Sequence, residues 1–329
     1  MKTIKNVFTL LSSMKTGLII LVGIGVISAI GSGFLPETFF HGTIFKIFLI
    51  GLLLNMALCT VNQTRKYAKI HNKKDSIVNI SSFRQIGILS LHAGVVLILI
   101  GGTMNVVGGQ SLPVSIVQGE ALNLSEVLKN AGSWQLKLNE FEIEFNNDGS
   151  PSQYYSYISL IEKDDVTQEY SISVNNPLKY EGIKAYQHSY GYLINIKGES
   201  GTGWQEQKDL HEGELFAIEG TGKIVRLYRY IPNFHPEYGM NSISLRPDNP
   251  RAVYSIYDDG ALTKVAIAAF GERIEIDPGV FITFTGLKPY TVLTLKTDPG
   301  LLAASAGGLM LMLGTCLALF LKPKKQGGL

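Results

Sequence analysis

His92 is an ionisable residue inside an apolar run, residues 87–107 (GILSLHAGVVLILIGGTMNVV), long enough to cross a bilayer. An ionisable group at that depth is costly and marks a functional site by default. Neutral imidazole is also a common iron ligand. The plainer role is a hydrogen bond to a backbone carbonyl or to Asn55. A proton relay lacks support, because none of the apolar runs contains an Asp or Glu to relay to. The second histidine near the membrane is His41, in FFHGT, where an interfacial position tolerates charge and suits anchoring beside Phe39 and Phe40. His188, His211 and His235 are too far apart for metal-ligand spacing and read as surface or strand residues. Residues 220–223 (GTGK) hint at a phosphate loop, but Ala217 stands where the first glycine belongs and Ile224 where a magnesium-binding hydroxyl belongs. Cys59 and Cys316 both lie in apolar runs and read as packing residues. The long segment between runs has no cysteine, so it is neither disulfide-stapled nor a thiol exchanger.

The elements that position these residues follow from where the apolar residues concentrate. Of 329 residues 46% are hydrophobic and only 17% charged, which is too apolar for an ordinary soluble enzyme. Four windows have spanning length: residues 17–35, 44–60, 87–107 and 300–321. The first is too long for a signal-peptide core and a second follows after a short turn, so it is expected to be retained. Lys2, Lys5 and Lys15 precede the first span, Arg65, Lys66, Lys69, Lys73, Lys74 and Arg84 crowd the 61–86 loop, and Lys322, Lys324 and Lys325 follow the fourth. By the positive-inside rule all three segments are cytoplasmic, which puts 108–299 outside. The organisation expected is residues 1–107 with three spans, an extracytoplasmic domain over 108–299, and a fourth span with a short cytoplasmic tail over 300–329.

Helix geometry orients His92. Gly87, Gly94 and Gly101 repeat every seven residues and form a stripe suited to close helix packing. At about 100° per residue, His92 lies roughly 200° from Gly94. The stripe is therefore expected to pack on this chain's own spans while His92, with Val95, Val96 and Leu99, faces the other way. A rise of about 1.5 Å per residue puts His92 roughly 12 Å along the helix from Arg84, in the cytoplasmic half of the membrane.

Residues 108–299 change character to short period-two runs. In 134–145 (WQLKLNEFEIEF), Trp134, Leu136 and Leu138 share a face, and Phe141, Ile143 and Phe145 share one after a shift at Glu140. Turn signals follow at Asn147-Asp148-Gly149 and Asp258-Asp259-Gly260. The expectation is a large all-β domain between spans three and four, a sandwich or open barrel, with two lobes parting near 198–203 and one short helix over 124–130 ended by Gly132.

Residues 174–192 (VNNPLKYEGIKAYQHSYGY) resemble the hallmark segment of ResB-type cytochrome c biogenesis proteins of System II. The likeness extends to Trp134, the Gly149–Pro151 turn, Tyr155 and Ser156. It also takes in 13–36 (SSMKTGLIILVGIGVISAIGSGFLP), 54–59 (LNMALC), His92, Gly101, Gly108, Gly119-Glu120 and the Asp298-Pro299-Gly300 approach to the last span. What the resemblance implies is a multi-pass protein of the cytoplasmic (inner) membrane that acts with a tryptophan-rich ResC-type partner. Together they would move haem b outward and support its attachment to the CxxCH cysteines of apocytochrome c, with a thioredoxin-like thiol reductant as a further partner. With only two Trp residues, this chain resembles the separate subunit of a holocytochrome c synthase, inactive alone. The family's membrane histidine matches His92, the implied axial ligand to haem iron, paired with a membrane histidine of the partner, so that the His92 face is expected to meet a haem shared with that partner. His41 is a weaker second contact for haem. The competing expectation is a membrane-tethered scaffold or sensor that binds no haem.

Overall fold

The computed structural model describes residues 8, 10–34, 39–40, 42–71, 80–129, 131–163 and 165–320. The described chain forms two compact units, Met1–Gln110 with Thr297–Leu329, and Ser111–Lys296.

The first unit is helical: α1 (Met14–Phe34), α2 (Thr43–His71), α3 (Ile80–Gly108) and, at the far end of the chain, a closing helix (Leu301–Phe320). Each contains an 18-residue window of mean hydropathy between 1.9 and 2.2, yet at most 17% of any window is buried inside the protein. Apolar helices so little covered by their own chain require lipid around them. Two helices outrun the apolar windows expected from sequence. The second continues to His71 and the third begins at Ile80, because hydrophobicity ends with the hydrocarbon while backbone hydrogen bonding does not. The glycine stripe of α3 packs on the closing helix, which has a stripe of its own at Gly300, Gly307 and Gly314. The pairs are Gly87 with Gly314, Gly94 with Gly307 and Gly101 with Gly300, an antiparallel seam in which backbones touch. Two polar pins flank it: Ser90 Oγ donates to the Met310 carbonyl at 2.8 Å, and Asn105 Oδ1 accepts the Gly300 N–H at 2.8 Å.

The second unit is antiparallel β. Its strands are β1 (Gln110–Val117), β2 (Ala121–Asn123), β3 (Trp134–Phe145), β4 (Pro151–Glu162), β5 (Asp165–Ser173), β6 (Leu178–Tyr180), β7 (Ile183–Ser200), β8 (Gln205–Leu210), β9 (Leu215–Ala217), β10 (Lys223–Ile231), β11 (Arg251–Asp258), β12 (Ala261–Ala269), β13 (Arg273–Asp277) and β14 (Val280–Thr297). One sheet runs β2-β3-β4-β5 and another β12-β11-β10-β9. The third is ordered β1-β14-β7-β6, with β13 on β14 and β8 on β7.

The alternation of β3 explains its register. Its pairing with β4 slips between Leu138 and Glu140, so Leu138 and Phe141 both reach the core although three positions separate them. The Asp259-Gly260 turn joins β11 to β12 with positive φ at both central residues, 46° and 83°, the geometry that suits the strands' right-handed twist.

Two expectations need correction. The short helix, α4, covers only Leu124–Val127, capped by Asn123 Oδ1 accepting the Ser125 N–H; Leu128 turns extended and buries its side chain, so the helix stops well before Gly132. The lobes do not part at 198–203, which is the β7–β8 turn. They exchange inside the two 18-residue strands. Ile183 and Ala185 of β7, with Leu293 and Leu295 of β14, belong to one core; Ile194 and Ile196, with Ile282 and Phe284, belong to the other.

Candidate functional site

His92 lies on the face of α3 opposite the glycine seam, as the helical angle predicts. It lines a half-open cavity of about 940 Å³ formed by this chain's own α1, α2 and α3, a size at the upper end for small-molecule sites, roughly 300–1,000 Å³. Val95 and Leu99, one and two turns further along α3, line it too; Val96 does not, a correction to the expected face. From α1 come Met14, Gly17, Leu18 and Leu21. From α2 come Leu52, Asn55, Met56 and Cys59, spaced so that one face of the helix repeats along the wall, and then Asn62, Gln63, Arg65 and Lys66.

Asn55 is the internal polar group that could have occupied His92. Its side chain is 1% exposed, and its amide nitrogen donates to the carbonyls of Leu11 at 2.5 Å and Ser13 at 3.1 Å. Those bonds tie the segment before α1 to the middle of α2. Cys59 adds a third tie, its Sγ donating to the Ser12 carbonyl at 3.2 Å. His92 has no hydrogen bond or ion pair to any described residue, so its imidazole is free to ligate.

Cys59 therefore does more than pack, while Cys316 is exposed on the closing helix. His41 lies outside the described residues. Among the described residues no three His, Cys, Asp or Glu side chains gather as a metal site. His188 is exposed on β7, His211 packs edge-on against Tyr290 at 5.3 Å, and His235 caps a single helical turn at Glu237. Gly220 and Gly222 form the β9–β10 turn with φ of 77° and 70°, and Lys223 is held by Asp277 at 2.9 Å, so GTGK is turn chemistry.

Read as sequence, Arg65 and Lys66 only orient the membrane, and Asn62 and Gln63 draw no notice. The signal is there nonetheless: Asn55, Cys59, Asn62 and Lys66 recur at steps of three and four on a helix that does not stop at Thr60.

Four apolar spans, a histidine facing an interhelical cavity and a large antiparallel β unit define a polytopic membrane protein. The family model described as ResB-like matches residues 79–326, and the chain belongs to that family. Among curated relatives, it is 30% identical over 220 residues to the cytochrome c biogenesis protein CcsB of Prochlorococcus marinus (strain NATL2A), an alignment covering 66% of this chain and 48% of that protein. It is 26% identical over 225 residues to the cytochrome c biogenesis protein Ccs1 of Porphyra purpurea (64% and 47%), and 27% over 241 residues to the chloroplastic CCS1 of Oryza sativa subsp. japonica (70% and 42%). The chain spans about half the length of the curated relatives it matches. A solved structure titled cytochrome c heme lyase CcmF aligns over 94% of this chain and 35% of its own at a TM-score of 0.34 and 11% identity, a likeness too slight to support any inference.

Proposed function

We propose that this chain is the ResB-type subunit of a cytochrome c haem-ligation complex and that His92 is an axial ligand to haem b in transit through the membrane. The observation that carries the reading is the free imidazole of His92 on the wall of the α1–α2–α3 cavity, with Asn55 already committed elsewhere. Relatives named for cytochrome c biogenesis support it. Haem is the substrate, supplying iron for the imidazole and an apolar macrocycle for the leucine-lined wall.

The positive-inside pattern supports a β unit on the extracytoplasmic side of the cytoplasmic membrane, the side on which haem would be attached. There the unit would hold a tryptophan-rich ResC-type partner, and with it apocytochrome c and a thiol reductant, so that acceptor cysteines wait near the haem vinyl groups. Thioether formation needs no nucleophile from this chain, because the acceptor brings its own thiols.

The test is the visible spectrum of the chain purified with its ResC-type partner, wild type beside His92→Ala. The expected outcome is a b-type Soret band that is lost or shifted in the variant while the complex stays intact. An identical spectrum from both would assign the haem to the partner alone and leave this chain a scaffold.

A further inference from the structure

The cavity is chemically two-ended. Leu21 of α1, Leu52 of α2 and Leu99 of α3 line it in the apolar part of their helices, whereas Asn62, Gln63, Arg65 and Lys66 line it where α2 leaves the hydrocarbon. The lining residues of α2 run from Leu52 to Lys66, about 21 Å at 1.5 Å per residue. Those of α3 begin at His92 and run to Leu99, about 10 Å. Neither α1, α2 nor α3 contains an acidic residue, and Arg65 and Lys66 have no ion pair to any described residue. Two cations without an ion pair among the described residues, and two amides, at one end of a long, otherwise apolar cavity are complementary to an amphipathic ligand with its anionic groups together on one edge.

Resting on the reading of His92 as an iron ligand, we infer that Arg65 and Lys66, flanked by the amides of Asn62 and Gln63, bind the two carboxylates of the same haem. A haem bears both carboxylates on one edge of its macrocycle. With that edge on Arg65 and Lys66, the opposite edge lies toward Leu21, Leu52 and Leu99, and the iron falls between the two ends, where His92 stands. The geometry sets an order of events. The basic end lies at the cytoplasmic face by the charge rule, so an incoming haem meets the cations first and the imidazole second. The carboxylates stay near the headgroup region, where their charge is tolerable, while the apolar macrocycle enters the cavity. A phospholipid phosphate has the same attraction to Arg65 and Lys66, but it offers no iron for His92; haem satisfies both ends at once.

The experiment compares haem with its dimethyl ester, whose carboxylates are blocked and whose iron is unchanged. Each is titrated into the haem-free complex of the full chain with its partner in phosphatidylcholine nanodiscs, and the signal read is the part of the Soret band that His92→Ala abolishes. The expected result is roughly tenfold weaker uptake of the ester by wild type, with Arg65→Gln/Lys66→Gln weakening haem to the level of the ester and leaving the ester unchanged. Equal titration by haem and ester in wild type overturns the carboxylate assignment, pointing to lipid phosphate as the occupant of the basic end, and leaves His92 as ligand. No His92-dependent signal with either compound overturns both readings. The comparison on wild type stands even if the double variant fails to assemble.

Discussion

Tyrosines 190, 192 and 230 form a row in the β unit, with ring centroids 5.9 and 5.3 Å apart. Burial pushes the Tyr192 phenol up to about 12, with neighbouring Tyr190 adding to it, and moves Tyr230 in the same direction. The folded state thus holds the Tyr192 proton more tightly than the unfolded chain, whose phenols titrate near 10. Below about pH 10 both states are protonated and the contribution is fully present; it is lost as pH rises from about 10 through about 12. Denaturant unfolding of the full chain across that window is expected to show falling stability, with a shallower fall in Tyr192→Phe. Matching slopes in the two proteins would contradict the assignment. At the same scale, His92 is legible in the sequence because an ionisable residue in an apolar run stands out in any reading. Arg65 and Lys66 are not, because basic residues beside a span have a sufficient explanation in topology.

Among the elements, the seam between α3 and the closing helix makes the sharpest claim. A Cβ built on Gly94 would lie 2.8 Å from the Gly307 carbonyl oxygen and 2.8 Å from the Leu311 nitrogen, backbone atoms that cannot swing aside. At Gly102 and Gly308 a Cβ would meet nothing within 4 Å. Gly94→Ala is therefore expected to cost about 1–3 kcal/mol by forcing the helices apart, whereas Gly102→Ala, which also favours the helix, should be neutral or better. Thermal loss of helical circular dichroism in detergent measures both, and equal midpoints would mean the seam does not depend on contact. The seven-residue step of Gly87, Gly94 and Gly101 is plain in the order of the residues. Its pairing with Gly300, Gly307 and Gly314 is not, although their spacing is the same, because two stripes some 200 residues apart say nothing about which helix each faces.

Over the whole β unit, β7 and β14 each pass through both cores, so neither core can lose its sheet without the other. Phe284, fully buried, is expected to cost about 3–5 kcal/mol when cut to Ala. The two tryptophans report the two cores separately: Trp134 is buried in one and Trp204 packs against the other. Variants retaining one tryptophan each, Trp204→Phe and Trp134→Phe, are expected to show that Phe284→Ala lowers both fluorescence transitions together. A shift confined to the Trp204 signal would mean two independently unfolding lobes.

The chain's own order of residues determined what is local. Four spans follow from runs of apolar residues measured against bilayer thickness, strands from alternation, and the β11–β12 hairpin from Asp259-Gly260. Only tertiary structure decided what depends on distant segments meeting. The cavity exists because residues near 12–21, 52–66 and 92–99 converge, and Asn55 leaves His92 free because its amide reaches back to Leu11 and Ser13. The division of the β unit is likewise invisible in a strand read alone, since β7 gives Ile183 and Ala185 to one core and Ile194 and Ile196, of the opposite parity, to the other. Periodicity tells which side of an element is apolar; it does not tell what that side will touch, and a binding site is made of what touches.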